Sequence, residues 1–406
     1  MSNRAAPASR TLFLLLGGMT AMLAVSFDLY LAALPRMGAD LAADPSAVQW
    51  TLSSFFIGLA LGQLLYGPVS DRFGRRPPLF FGLAVFIAAS IGCALAPNIE
   101  TLIVLRFLQA LGASASATMA RAIIGDLFEL KEGARFMSQL MLVQGLAPIF
   151  APYLGGWIVV SAGWRAVFYA LTLFAVAVGA AAYLRLPETR SREAAKKLQH
   201  ETTITSYTAV LGNGPLIRAS FVGALSSTAL FTYLTYAPHL LITTYHVPTE
   251  QFGLYLGANA IGIVGGAQIN RALLARFQPH EILDRSTFLI FAMALLLLAA
   301  ACFPVFGLWT ILVPLFGLVS TFPLVAPNAM ALALWSDRQR PGAVAAVSGS
   351  ISFIAGAVAS AAAGALYNGT AVPMAAVIAC TAAAALLLRQ LARGDQARPA
   401  ANPGGD

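Results

Sequence analysis

Charge is scarce in this chain. Asp, Glu, Lys and Arg make up only 10% of its 406 residues, against about 25% in a soluble domain. So little charge cannot cover a water-facing surface, and a soluble globular protein is excluded. Histidine and cysteine are scarcer still, at four and three residues. Cys93, Cys302 and Cys380 each fall in an apolar run without metal-ligand spacing, so they read as small packing residues. His200, His239, His246 and His280 fall at helix ends or in loops and are given no role. The chain has no His-Glu-x-x-His, no Gly-x-Ser-x-Gly and no Gly-x-x-x-x-Gly-Lys, which sets aside metalloprotease, serine-hydrolase and nucleotide-hydrolase sites. No enzyme, cofactor or metal site is expected. With no ATP site, any work done across a membrane would draw on an ion gradient.

Apolar sequence is abundant. The chain is 58% hydrophobic, with a mean hydropathy of +0.76. Runs punctuated by turns or charge predict an all-α integral membrane protein of twelve transmembrane helices. They span about 11–35, 48–68, 78–96, 100–122, 137–160, 164–185, 216–240, 251–270, 283–303, 305–330, 342–366 and 371–390. Pro35, Pro68, Pro77, Pro97 and Pro341 are read as helix-end prolines. The only long polar segment, 186–215, divides six helices from six. The expected organisation is a first bundle over 1–185, a linker over 186–215, a second bundle over 216–392 and a tail over 393–406. The linker is expected to stand apart from the membrane core, with room for an amphipathic helix on the membrane surface. Residues 1–26 also fit a cleaved signal peptide, but its removal would leave an odd number of helices, so the segment is read as the first span.

The first run holds one ionisable residue, Asp28. It lies seven residues before Pro35, roughly 10 Å below the helix end at 1.5 Å per residue. A carboxylate there costs about 2.5–3.5 kcal/mol on insertion scales, and such residues mark functional pathways. No other acid lies deep inside an apolar run.

The net charge of +8 invites a nucleic-acid reading, but its placement argues otherwise. With the N-terminus in the cytoplasm, the outer loops keep only Arg36 and Arg165 of the 25 Lys and Arg residues, and Arg106 lies inside the fourth run. The rest, Arg121 among them, fall on the cytoplasmic side. This is the positive-inside pattern, with both termini cytoplasmic, and it explains the charge without nucleic acid. The halves also repeat. Gly67, Asp71 and Arg72 close the second run, and Gly266, Asn270 and Arg271 close its counterpart in the later half at the same spacing. A repeat of six helices in one orientation implies two bundles about an axis normal to the membrane, with a site between them.

The stretch Gly67-x-x-x-Asp71-Arg72-x-Gly74-Arg75-Arg76 resembles the signature loop of the major facilitator superfamily. Asp28-Leu29-Tyr30, Gly62-Gln63, Arg106-x-x-Gln109, Arg121-Ala122-Ile123-x-x-Asp126 and Pro148-x-x-x-Pro152-x-x-Gly155-Gly156 narrow the likeness. Together they resemble the branch of bicyclomycin and chloramphenicol resistance (Bcr/CflA) drug:proton antiporters, strongly over residues 20–190. The resemblance implies the major facilitator fold, two six-helix bundles, and a monomer in the bacterial inner membrane that exchanges small amphipathic drugs for protons. One departure is Ala32, where that branch usually has proline; alanine is expected to straighten the outer end of helix 1.

The resemblance also distributes roles. Helices 1 and 4 line the central cavity in this superfamily, so Asp28 and Arg106 are expected at one depth and facing one another, with Asp28 carrying the proton. The rival reading is a fixed Asp28–Arg106 salt bridge. Tyr30, Gln144, Tyr233, Tyr236, Asn259 and Asn328 are candidates to line the cavity with Asp28; Tyr233 and Tyr236 fit an interfacial belt equally well. Gly67, Asp71, Arg72, Gly74, Arg75, Arg76 and Asp126 form a candidate conformational latch. In it Asp71 caps the helix starting near Pro341-Gly342, Arg75 or Arg76 meets Asp126, and the arginines face anionic headgroups. Gly145, Pro148, Pro152, Gly155 and Gly156 match the helix-5 motif of antiporters, with Ala151 where glycine often stands. The competing function is proton-coupled or facilitated movement of a small metabolite. A carrier of anionic metabolites would show more buried cations than Arg106 alone.

Overall fold

A hydrocarbon environment leaves backbone amides no partner but one another, so spanning segments become helices. The structure, a computed structural model, describes residues 10–198, 201–247, 249–303 and 307–397. Among them there is no strand. The elements are α1 (Arg10–Leu31), α2 (Leu34–Asp40), α3 (Pro45–Phe73), α4 (Arg76–Leu95), α5 (Ile99–Leu127), α6 (Leu130–Ala162), α7 (Arg165–Arg185), α8 (Arg192–Lys197), α9 (Thr203–Gly212) and α10 (Gly214–Pro238). A π-helical turn, His239–Thr244, follows α10; then come α11 (Thr249–Arg276), α12 (Pro279–Cys302), α13 (Leu308–Ser336), α14 (Pro341–Ala365) and α15 (Val372–Ala397). Twelve of these are long, six on each side of the short linker helices α8 and α9. Nine, by their described residues, are long and apolar enough to cross a membrane.

Several helices extend past the apolar runs that predict them. The runs at 48–68, 100–122, 137–160, 251–270 and 305–330 grow into α3, α5, α6, α11 and α13, mostly at the face that carries Arg75 and the linker, hereafter the basic face. Hydropathy marks only the part in hydrocarbon, whereas the i→i−4 ladder continues into polar sequence. Pro68 consequently lies inside α3 rather than at its end. Pro77 and Pro341 do open α4 and α14. At the opposite face, α1 stops at Leu31 although Ala32 replaces the usual proline. Pro35 has no N–H to give the Leu31 carbonyl, and the Ala33 amide bonds Tyr30 O at 2.9 Å. The chain turns there and restarts as α2.

Each half has its own core. Leu16, Met19, Tyr30, Phe55, Phe86, Trp164 and Phe168 belong to one cluster, and Tyr233, Leu283, Ile290, Leu315 and Leu318 to the other. The first cluster reaches across the basic face to Ala343 and Val344 of α14. A smaller one joins Ala134 of α6 to Leu274 of α11 and Ala331 of α13. The halves meet through α3 with α14, α6 with α11 and α13, and α5 with α14, whereas α1 and α10 are not packed together. The two halves close on each other at the basic face and part toward the opposite one.

The linker does not stand apart. The Arg190 guanidinium donates from Nε to Asp71 O (3.1 Å) in the first half and from Nη2 to Gln339 O (2.5 Å) in the second. Glu201 pairs with Arg340, and hydrogen bonds from Arg340 hold the Glu201 carboxyl below its ordinary range. The Tyr207 hydroxyl donates to Leu64 O, and Asn213 Nδ2 to Ser336 O at 3.1 Å. Ser206 and Val210 of α9 are buried against protein, so this amphipathic helix covers the basic face of the bundles.

Candidate functional site

Two of the buried polar groups hold the predicted latch and the predicted proton site. The first lies where the halves meet at the basic face. Asp71, 1% exposed, projects from the last turns of α3 to the start of α14. Its carboxylate accepts from the Gly342 amide (2.9 Å) and the Ala343 amide (2.8 Å), the unpaired donors at the positive end of that helix. It also accepts from Arg75 Nη1 at 2.8 Å. Arg75 is wholly buried and bonds Asp126 with two nitrogens, Nε at 2.7 Å and Nη2 at 3.0 Å. Burial alone would lower the guanidinium's pKa; the charges of Asp126 and Asp71 outweigh it and hold the group above its ordinary value. Gly67 permits the approach: a Cβ there would stand 2.6 Å from Ala346 Cβ. Gly74 turns the chain at φ +92°, a conformation that disfavours side chains.

The other two arginines of the loop stay outside this cluster. Arg72 reaches Thr203 of α9 at 3.4 Å. Arg76 donates to Tyr183 O (3.2 Å) and stands over the Phe80 and Tyr183 rings. Sequence reading missed Glu188, whose carboxylate accepts from the amides of Arg75, Arg76 and Arg190 at 2.9–3.1 Å. The one signal was the polar run Pro187-Glu188-Thr189-Arg190 directly after the sixth span, which hydropathy assigns to solvent. The repeat counterpart of Asp71, Asn270, makes only neutral contacts: its Nδ2 donates to Ser138 Oγ (2.5 Å) and its Oδ1 accepts from Asn328 Nδ2 (2.8 Å).

The second group lies deep in the first half. Arg106 of α5 is fully buried. Its Nη1 donates to Gln109 Oε1 (2.6 Å) and reaches Ser26 O of α1 (3.5 Å). The guanidinium stands 4.0 Å from the Tyr30 ring centre and 4.1 Å from that of Phe55, a cation–π sandwich. Arg106 and α1 thus meet at one depth, but Arg106 does not pair with Asp28. Helical spacing explains this. Ser26 and Tyr30 are four apart and share the face toward Arg106, whereas Asp28 lies two residues from each and points elsewhere. Phe27 meets Phe56 of α3, and Leu29 O lies against Gly155 of α6. Asp28 thus lies off the face that meets Arg106, although it is buried in the helix packing around α1. It is 9% exposed and has no hydrogen bond or ion pair with any described residue.

The other cavity candidates are not gathered into one wall. Tyr30 and Tyr233 are fully buried inside their own bundles; the Tyr30 hydroxyl shares a 2.5 Å hydrogen bond with Thr51 Oγ1. Asn259 Nδ2 donates to the Tyr233 hydroxyl (2.9 Å). Asn328 is buried beside Asn270, and Tyr236 donates to Thr370 O (3.0 Å) at the opposite face. Only Gln144 is partly exposed. Tyr30, Tyr233, Tyr236, Asn259 and Asn328 each hydrogen-bond within their own half, although Asn328 Oδ1 is left without a partner. In α6, Gly145 faces Ile263 and Val264 of α11, and Gly156 faces nothing within 4 Å. The side chains of Pro148 and Pro152 lie outside the described set.

Twelve long helices in two six-helix halves, closed at one face by a buried charge cluster, define a polytopic membrane transporter rather than an enzyme. Residues 14–322 match the sequence profile of the Major Facilitator Superfamily, and the chain belongs to that superfamily. It is similar to a bicyclomycin resistance protein homolog of Haemophilus influenzae, 28% identical with 90% of this chain and 92% of the relative covered. It is also similar to a chloramphenicol resistance protein of Pseudomonas aeruginosa, 30% identical over 78% of this chain and 75% of the relative. The proton:xylose symporter XylE superposes with a TM-score of 0.77 at 15% identity, over 94% of this chain and 95% of that one. That likeness is one of fold.

Proposed function

We propose that this chain exports small amphipathic drugs of the chloramphenicol and bicyclomycin kind, in exchange for protons, from the bacterial cytoplasm. The observation that carries the reading is Asp28. It is a carboxylate deep in a membrane helix, buried and bonded to no described group. A charge so placed is costly and is free to gain and lose a proton. The resistance proteins among its relatives supply the substrate class. The proton enters when the cavity faces out and favours drug release; it leaves when the cavity faces in, and drug binding favours that step. Arg106 stays charged and acts through Ser26 and Tyr30, holding α1 rather than carrying the proton.

The basic face is read as cytoplasmic, with Arg72 and Arg76 toward anionic headgroups and both termini inside. The closed cluster of Asp71, Arg75 and Asp126 then latches the outward-open state. Expression in a pump-deficient host is expected to lower chloramphenicol accumulation, and a protonophore is expected to remove the difference. Accumulation that rises on expression, or that ignores the protonophore, would overturn the reading in favour of metabolite uptake or facilitated diffusion. Topology has its own check. A cysteine introduced beside Arg338, where Arg338 meets Glu129 at 3.2 Å, is expected to react with impermeant maleimide only after the cells are opened. Labelling in intact cells would reverse the orientation.

A further inference from the structure

Arg121 does not belong with the charges of the basic face. It sits within α5, five residues before Asp126, or roughly 7.5 Å deeper at the helical rise. Its Nη2 donates to Gln63 Oε1 of α3 at 3.0 Å. Gln63 is fully buried, and Arg121 is partly exposed. Across from both stands Gly349 of α14, in the other half. A Cβ at that position would fall 2.0 Å from Gln63 Oε1 and 3.1 Å from Arg121 Nη2. Three helices therefore converge on this pair, inward of the latch cluster, and at Gly349 the second half meets it with backbone alone.

The pair is short of acceptors. Gln63 Nε2 and Arg121 Nε are both buried without a hydrogen-bond partner. No acid pairs with Arg121 among the described residues. A buried donor left unmet is costly, and so is an arginine deep in a membrane. The latch does not relieve this, because its two acids already serve Arg75 and the start of α14. Inward of the latch, the first half holds two arginines, Arg106 and Arg121, against the single acid Asp28. The region is short of one negative charge, and the unmet donors of Arg121 and Gln63, unlike those of Arg106, lie at the seam between the halves, where Gly349 of α14 packs against them.

We propose that Arg121 and Gln63 form an anion-binding subsite on the substrate path, and that the chain's substrates include amphipathic organic carboxylates. The inference rests on the transport reading and adds a substrate class to it. A guanidinium offers a planar fork of donors that matches a carboxylate, and the adjacent amide of Gln63 adds a further donor. The apolar remainder of such a molecule would lie toward the open side, among the apolar helix faces. The low count of buried cations, which spoke against anionic cargo, came from placing Arg121 at the surface.

The test compares two probes of one shape, 2-naphthoate and 2-naphthamide, by calorimetry on the purified full-length protein in detergent. The carboxylate is expected to bind at least about tenfold more tightly, a difference of roughly 1.4 kcal/mol. Arg121→Gln is expected to bring the carboxylate down to the level of the amide, whose own affinity falls far less. Arg121→Lys should keep part of the preference. Gln63→Glu supplies an acid beside Arg121 from within the protein and should remove the preference while preserving the packing. A ratio near one in the native protein, no carboxylate binding at all, or a preference that survives Arg121→Gln or Gln63→Glu would overturn the subsite. Chloramphenicol accumulation is measured in parallel. Efflux without carboxylate preference overturns this inference alone, and carboxylate preference without efflux overturns the drug-export reading alone.

Discussion

Replacing Arg75 with alanine is expected to open the basic face. The guanidinium links Asp71 of α3 to Asp126 of α5, and its removal leaves two carboxylates buried beside each other. Breaking a buried pair from one side costs about 3–5 kcal/mol. Spent against the closed state, that shifts the equilibrium by roughly two to three and a half powers of ten. Asp71→Asn should act in the same direction with a smaller effect. An asparagine oxygen still accepts one amide bond from the start of α14, but it brings no charge to Arg75 or to the positive helix end. The readout is a single cysteine at Ala134, fully buried between the halves in the closed state, in a background lacking Cys93, Cys302 and Cys380. Its modification by maleimide is expected to be slow in the parent and much faster with Arg75→Ala. Equal rates would show that these charges anchor a loop and hold no gate.

Asp28→Asn is expected to abolish drug-induced proton release while leaving the protein at least as stable as the parent. The two halves of this expectation come from the same geometry. Asp28 has no counter-ion within the described residues, so neutralising it breaks no ion pair and removes the cost of a charge in the membrane. A carboxylate locked to Arg106 would behave in the opposite way, because its removal would strand a buried guanidinium. Thermal unfolding in detergent separates the two cases. Proton release on drug addition, followed with a pH indicator and with drug binding measured alongside, tests the coupling. Undiminished release from the asparagine variant would remove Asp28 from the mechanism. A large drop in melting temperature would return Asp28 to a structural role.

Much of the architecture could be read from the chain because hydrocarbon imposes one rule on every segment that crosses it. The twelve apolar runs correspond to the twelve long helices. The reach of Asp71 to the helix opening at Pro341 and Gly342 was also legible, since an acid at one helix end and an uncapped helix start were both visible at the same face. What hydropathy could not show was polar sequence buried against protein. Arg121 carries the composition of a surface cation, and only the convergence of α3 and α14 on α5 buries it. Glu188 and Arg190 belong to a polar linker yet bond the latch from its solvent side. The facing of Asp28 and Arg106 was inferred from depth alone. Depth fixes the level of a residue on a helix and leaves its azimuth open, and Ser26 and Tyr30 hold the azimuth that faces Arg106.

The repeat that relates the halves is unequal where they touch. Asp71 grips α14 with a charge, while its counterpart Asn270 leans on α6 through a hydroxyl and on α13 through another amide. In mechanical terms the closure resists unequally on the two sides of the pseudo-symmetry axis. A rigid body held harder on one side than the other answers a parting force with torque, so one seam serves as the fulcrum while the other bears the strain. The charged seam between α3 and α14 is also the one roofed by the linker, through Arg190. The seam between α6 and α11 can slip a hydrogen bond at a time, with only the exposed Arg338–Glu129 pair beside it carrying charge.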